Sequence, residues 1–364
     1  MKVLFLPKYP EEGASSRYRV YQYLPYLAAA GIDYRVVPFM SPALYRLSQQ
    51  PGHTLRKSAL YLLASLRRLA LLFDWRHVDL VYMQRECLPL GPLLLERWFR
   101  LRGRRLVFDY DDALFIHKAN SHSRLFSRLK NPARIPRIMA LCDLVVAGND
   151  WLRERAAQYC PRAVTFHVAE DLQRYTPKPP DQPGEDVTIG WLGSPSTEKY
   201  LELLRPVLVA LAERHPGLRL KIVGGGRFTE PRIEVEHVAW SLDTEVAELH
   251  SFDIGVMPLP MEEWSQGKSG GKARTYMAAG LPCVCTDIGY NRELLEDGQT
   301  GFLARDEQDW LNKLEALIGD RALRERIGGA ARRDVEARFD LQKQGPAFAR
   351  LLLSAADPGA GVNS

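Results

Sequence analysis

Three segments of the chain set small residues, hydroxyls and cations side by side, a composition suited to holding an anion. The first is Gly13-Ala14-Ser15-Ser16-Arg17-Tyr18-Arg19. Small residues let a ligand reach the backbone, and a helix start offers free N–H groups. Ser16, Arg17 and Arg19 are therefore candidate phosphate contacts, although a capped helix with two solvated arginines fits the same residues. The second segment runs from Trp191 through Gly193, Ser194, Thr197 and Lys199 to Tyr200. Lys199 supplies the cation, and Ser194 is either a ligand contact or simply a helix N-cap. The third is Gln266-Gly267-Lys268-Ser269-Gly270-Gly271-Lys272-Ala273-Arg274-Thr275, whose exposed N–H groups and two ammonium groups make an anion cradle. A mobile basic loop is the plainer reading of that third segment.

A fourth segment, Phe108-Asp109-Tyr110-Asp111-Asp112, carries acids at the end of a strand. Asp111 or Asp112 can orient a hydroxyl or take its proton. The plainer alternative is an N-cap beside a solvated acid. No histidine stands with these acids, so no metal site is expected. A fifth segment, Leu55 to Leu69, is apolar and basic with no acidic residue. It suits a helix lying on an anionic membrane, or a core helix flanked by solvated cations.

Alternating strands and helices must position these residues. Apolar runs at Val3–Leu6, Asp33–Phe39, Asp79–Met83, Leu106–Tyr110, Leu144–Ala147 and Ala163–Val168 read as strands. One helix is expected from Ser16 to Ala30, stopped by Gly31. A proline-rich stretch over 173–186 reads as a linker. The pattern then restarts with strands at Val187–Leu192, Leu218–Val223, Ile233–Val238, Phe252–Met257 and Pro282–Thr286, and a helix at Lys272–Ala279 ended by Gly280. Ser194-Pro195 is expected to open a helix striped by Leu201, Leu204, Leu208 and Leu211. Such alternation predicts an α/β fold with parallel sheets covered on both faces, whose ligands bind beyond the carboxyl ends of the strands. The expected domains are 1–172 and 187–340. Residues 341–364 would form a helix returning to the first domain, docked by Phe348, Leu351, Leu352 and Leu353, and a loose tail.

The length of 364 residues agrees with two domains, and the +5 charge fits a phosphate-bearing partner or a slightly basic enzyme equally well. Nucleic acid is not an expected partner. Cys87, Cys142, Cys160, Cys283 and Cys285 form no CxxC pair, so neither disulfides nor zinc are expected and a reducing cytoplasm is the expected location. Cys283 and Cys285 share one strand face and read as core. No apolar run is long enough to span a membrane, and the N-terminus lacks the pattern of a signal peptide.

Three blocks resemble group 1 glycosyltransferases, also called family 4: Asp253-Ile254-Gly255-Val256-Met257-Pro258-Leu259, the run from Lys272 to Asp287, and Asn291 to Leu303. Asp79-Leu80-Val81-Tyr82 and Ala147-Gly148-Asn149 carry a looser likeness in the first half. The resemblance implies a GT-B fold, with two Rossmann-like doubly wound domains facing a central cleft. It further implies retaining transfer from a nucleotide sugar, a co-substrate used without metal or other cofactor, to a glycan, lipid-linked or small-molecule acceptor. By that resemblance Lys199, Lys268 and Lys272 hold the diphosphate; Ser269 and Gly270, in the same loop, are further donor contacts, and Thr275 can hydrogen-bond a ribose hydroxyl. By the same resemblance Gly224 lies near the nucleotide and Val238 flanks the base; Ser16, Arg17 and Arg19, read from the first segment itself, are acceptor or phosphate contacts. The family's two glutamates, eight positions apart, correspond here to Gly267 and Thr275, and its histidine corresponds to the acids Asp111 and Asp112. An inactive nucleotide-sugar-binding or scaffold subunit is thus the alternative, with a sugar-nucleotide epimerase behind it. Polysaccharide or glycoconjugate synthesis at the inner face of the membrane is the expected setting.

Overall fold

The computed structural model describes residues 1–50, 52–73, 77–116, 131–179 and 186–357. The chain divides into two compact units, Met1–Val168 with Gln342–Ser364, and Ala169–Leu341. In the first unit the strands are β1 (Lys2–Leu6), β2 (Asp33–Val36), β3 (Leu80–Gln84), β4 (Arg105–Tyr110), β5 (Leu144–Ala147) and β6 (Ala163–Thr165). They form one parallel sheet in the order β2-β1-β3-β4-β5-β6. The second unit contains β7 (Thr188–Leu192), β8 (Arg219–Val223), β9 (Glu234–Val238), β10 (Ile254–Met257), β11 (Cys283–Thr286) and β12 (Phe302–Ala304). Its parallel order is β12-β11-β10-β7-β8-β9.

Both sheets reverse their strand order once. The reversal lies between β1 and β3 in the first unit and between β7 and β10 in the second. Connections leave such a point in opposite directions, opening a crevice at the carboxyl ends of the two strands. The central strands are buried on both faces, as their continuous apolar runs require. Cys283 and Cys285 are fully buried in β11, as core residues should be.

Several local expectations change. The single helix over 16–30 is instead Ala14–Arg19, a 3-10 turn at Tyr21–Tyr23, and Leu24–Ala29. Pro25 has no N–H to continue a helix but fits the first turn of a new one. Ser194 caps no helix. Its hydroxyl lies 2.9 Å from that of Ser196, and the next element is a 3-10 helix, Glu198–Leu204, that starts after Thr197. Residues 173–179 are not a free linker. Tyr175 lies in the second unit's core, and Lys178 pairs with Asp253 while its N–H donates to the Ala279 carbonyl at 2.8 Å. The remainder of that expected linker, 180–185, lies outside the described residues. In the returning helix Leu341–Ala356, Phe348 and Leu352 are buried, but Leu353 faces solvent.

Candidate functional site

The second unit builds its site around the β7–β10 reversal. The two strands pair only at Ile254 with Ile189 and Gly255 with Gly190, then diverge. Tyr276, from the helix Gly271–Ala278, fills the fork. Its hydroxyl accepts from the Leu192 N–H at 2.9 Å and donates to the Val256 carbonyl at 3.3 Å. Gly255 makes room, since a Cβ there would lie 2.5 Å from the Tyr276 ring. Lys272 stands one helical turn before Tyr276 on the same face, so anchoring the tyrosine fixes the ammonium over the strand ends. Lys272 Nζ lies 5.1 Å from the Trp191 ring centroid and 3.5 Å from Thr197 Oγ1.

Two glycines keep the floor beneath it bare. A Cβ on Gly193 would come within 2.5 Å of Trp191 and 2.7 Å of Lys272 Cε. Gly224, at φ +86°, lies so close to the Gly193 carbonyl oxygen that a Cβ would sit 2.1 Å from it. The ends of β7, β8 and β9 are tied in series: Gly193 N–H donates to Val223 O at 3.0 Å and Gly224 N–H to Val238 O at 2.8 Å. Val238 is half-buried against the core, and Trp240 beyond it donates to Glu245 at 2.6 Å. Below the glycine loop, buried Glu198 accepts from the N–H groups of Gly226, Arg227 and Phe228 at 2.8, 2.6 and 3.0 Å.

The remaining cations gather nearby. Lys268 lies 3.9 Å above the Trp264 ring, Trp264 packs at 6.1 Å from Tyr200, and exposed Lys199 lies 5.3 Å from the Tyr200 ring. Gly270 enters the helix at φ +64°, where the neighbouring Leu294 leaves no room for a Cβ, and no side chain caps the first N–H groups. Arg274 donates to the Ser269 carbonyl at 3.0 Å and is itself held by a fully buried ion pair with Glu170 at 3.1 Å. Arg274 and Tyr276, which shape the cradle from behind, escape sequence reasoning because both read as ordinary helix residues. Thr275 is buried, and its hydroxyl donates to the Gly271 carbonyl at 3.0 Å.

In the first unit, the carboxyl ends of β1, β3 and β4 meet. Ser15 donates to Asp111 at 2.7 Å and accepts from Gln84 Nε2 at 2.8 Å. Arg85 pairs with Asp112 at 2.5 Å and lies 3.6 Å from Asp111. A non-glycine residue at φ +67°, Arg85 holds a costly conformation through its N–H to the Asp109 carbonyl at 2.9 Å. Lys8 and Tyr9 stand beside it, the ammonium 5.3 Å from the ring centroid. Burial alone would raise the Tyr9 phenol; Lys8 and Arg85 outweigh it and hold the phenol below its ordinary value. Lys8, Tyr9, Gln84 and Arg85 were readable only through their places just after β1 and at the end of β3.

Two of the expected contacts turn inward. Arg19 points inward to a buried ion pair with Asp109 and donates to the Phe166 carbonyl, so it is no rim cation. Ser16 is fully buried, donating to Gln84 at 2.8 Å and accepting from Tyr9 N–H at 3.0 Å. Both side chains hold the loop in place instead of facing a ligand. Arg17 remains half-buried, 5.1 Å from the Tyr18 ring. Among the described residues no cluster of three His, Cys, Asp or Glu is arranged to hold a metal.

Residues 186–320 match the family model of glycosyl transferases group 1. This segment lies wholly within the second unit and contains all three resembling blocks of that half. Sulfoquinovosyl transferase SQD2 of Arabidopsis thaliana is 30% identical over 165 residues, covering 41% of this chain and 29% of that protein. Spore coat protein SA of Bacillus subtilis is 33% identical over 70 residues, covering 18% and 19%. The chain thus spans less than a third of the length of these curated relatives. Anabaena HepE, solved with UDP and glucose, superposes with a TM-score of 0.72 at 19% identity, covering 97% of this chain and 100% of that one. Sucrose-phosphate synthase of Thermosynechococcus elongatus gives 0.68 at 14% identity, covering 97% and 98%. At these identities the likeness establishes the fold, the two-domain α/β fold of GT-B glycosyltransferases.

Proposed function

We propose that the chain is a glycosyltransferase that moves a sugar from a nucleotide-sugar donor to an acceptor hydroxyl. The bond between the anomeric carbon and the diphosphate breaks, a bond to the acceptor oxygen forms, and the hydroxyl proton leaves. The observation that carries this reading is Lys272, fixed by Tyr276 above the bare backbone of Gly193 and Gly224. Negative charge grows on a departing diphosphate, and a preplaced ammonium with uncapped helix N–H groups stabilises it as it forms. Lys199, Lys268, Ser269, Gly270, Ser194, Thr197 and Thr275 complete the donor side. Val238 lies beside the base, and UDP is the first nucleotide to test, because HepE was solved with UDP and with UDP-glucose.

On the first unit, Asp111 and Asp112, with Ser15 and Arg85, are the groups to orient and deprotonate an acceptor hydroxyl. The acceptor is a glycan, a lipid-linked sugar or a small molecule, the setting is cell-surface polysaccharide or glycoconjugate synthesis in the cytoplasm, and transfer proceeds with retention and without metal. Free thiols at all five cysteines suit a reducing compartment.

The test is nucleotide release from a panel of UDP, GDP and ADP sugars. Lys272→Ala should lower turnover by about a hundredfold while the melting temperature stays put. An unchanged rate removes Lys272 from the chemistry. Full activity in EDTA and an unchanged anomeric configuration by NMR are the expected accompaniments. A second reading, a binding subunit without turnover, is favoured by Gly267 and Thr275 standing where the resembling family has glutamates. Tight UDP-sugar binding with no release from any donor would select it.

A further inference from the structure

The helix Thr54–Leu69 and the turn Ala70–Leu72 turn one apolar stripe outward. Leu55, Ala59, Leu62, Leu66, Ala70 and Phe73 recur at steps of three and four, which aligns them on a single helical face. All six are exposed: Leu55 and Phe73 by 89% and 87%, Leu62 by 62% and Leu66 by 56%, with Leu63 alongside at 62%. Large apolar side chains aligned in this way mark a surface that something covers.

Charge identifies the cover. No acidic residue occurs between Asp33 and Asp74, while Arg35, Arg46, Arg56, Lys57, Arg67 and Arg68 do. Arg56 and Arg67 are exposed at the edge of the stripe. A second copy of this surface would bring like charges together. An anionic lipid surface neutralises them and takes up the leucines and Phe73 at headgroup depth. The helix of 16 residues is about 24 Å long, too short for a bilayer core of about 30 Å, and so suits lying in the interface.

We propose that this stripe docks the protein on a membrane bearing anionic headgroups. The opposite face of the helix explains the placement. Arg68 is buried and donates to the Pro7 carbonyl at 3.0 Å, one residue before Lys8. Tyr61 packs on Phe39 at 5.9 Å, and burial raises its phenol, with Lys8 opposing and Tyr9 adding to the rise. The helix therefore joins the lipid-facing stripe to the strand ends that carry Lys8, Tyr9, Arg85 and Asp111. If the glycosyltransferase reading holds, on which this last step rests, the acceptor is lipid-borne and enters from the bilayer.

The test is co-sedimentation of the full chain with phosphatidylcholine vesicles, with and without phosphatidylglycerol. Binding should require the anionic lipid and fall in high salt. The double variant Leu62→Ser/Leu66→Ser should bind at least about tenfold more weakly, and Arg56→Glu/Arg67→Glu should lose binding similarly. These positions are exposed, so circular dichroism and melting should be unchanged. Nucleotide release from a soluble donor should also be unchanged, which separates failure of docking from failure of the enzymatic reading. Absence of binding to anionic vesicles, equal binding to neutral ones, or undiminished binding by both variants overturns the proposal. A dimer in sedimentation analysis that dissociates in Leu62→Ser/Leu66→Ser would overturn it in favour of a second copy.

Discussion

The strand ends of the second unit are shaped by residues defined by what they lack. Gly193 and Gly224 carry no Cβ, so one backbone crosses another where side chains would collide. Ala at 224 would meet the Gly193 carbonyl oxygen at 2.1 Å and would need φ near +86°. Gly224→Ala should therefore lower stability by about 2 kcal/mol, measured by urea denaturation, and, on the proposed donor role, weaken nucleotide-sugar binding in calorimetry by about tenfold or more. Wild-type affinity for the nucleotide sugar in this variant would show that the loop does not need this approach. Lys272 illustrates the converse. Its ammonium lies over an aromatic ring beside a hydroxyl, a setting in which a phosphate can compete for it.

At the scale of elements, the strands are fixed by ties at their ends as well as by ladders. Asp143, just before β5, accepts from the Leu106 N–H of β4 at 2.8 Å and from Arg100 and Arg105 at 2.9 Å. Burial works against this charge, but the N–H and the two guanidinium groups outweigh it and hold the carboxyl below its ordinary value. A depressed carboxyl stabilises the fold above the unfolded value of about 4, and that stabilisation is lost as pH falls through the folded value. Asp143→Asn should cost on the order of 1 kcal/mol at neutral pH, a modest figure because the arginines are partly in water. The difference from wild type, followed by denaturation across pH, should shrink below about pH 4. A pH-independent difference would mean that shape, not charge, is what Asn fails to supply.

For the whole molecule, the decisive feature is that the first unit is completed by the end of the chain. Phe348, on the returning helix, is fully buried. It stacks on Tyr23 at 4.5 Å and meets Phe166 and Tyr82 at 5.4 and 5.6 Å. Gly345 lets the helix close on Tyr26, where a Cβ would lie 2.3 Å from the ring. Phe348→Ala should destabilise the first unit by roughly 4 kcal/mol, through lost burial and the cavity left behind. Tyrosine fluorescence and calorimetry would register this as a lowered first transition. An unaltered unfolding profile would show that the helix adds nothing to that unit.

The alternation of buried strands and helices, the two parallel sheets and the loops at their carboxyl ends were legible in the order of residues alone. Those features rest on local periodicity, which a linear pattern preserves. The grouping of Lys268 and Lys272 with small residues in one loop was equally legible, since these residues are neighbours along the chain. Which charges are spent inside the fold became visible only in three dimensions. Arg17 and Arg19 look alike in sequence, yet Arg19 is buried against Asp109, 90 positions away. Tyr276 could not be read as the post that fixes Lys272, because its partners lie on β7 and β10. The outward turn of Leu62 and Leu66 was equally hidden. An amphipathic pattern gives the spacing of a face, but which face meets the core depends on what packs beneath it, here Phe39 and the Pro7 carbonyl.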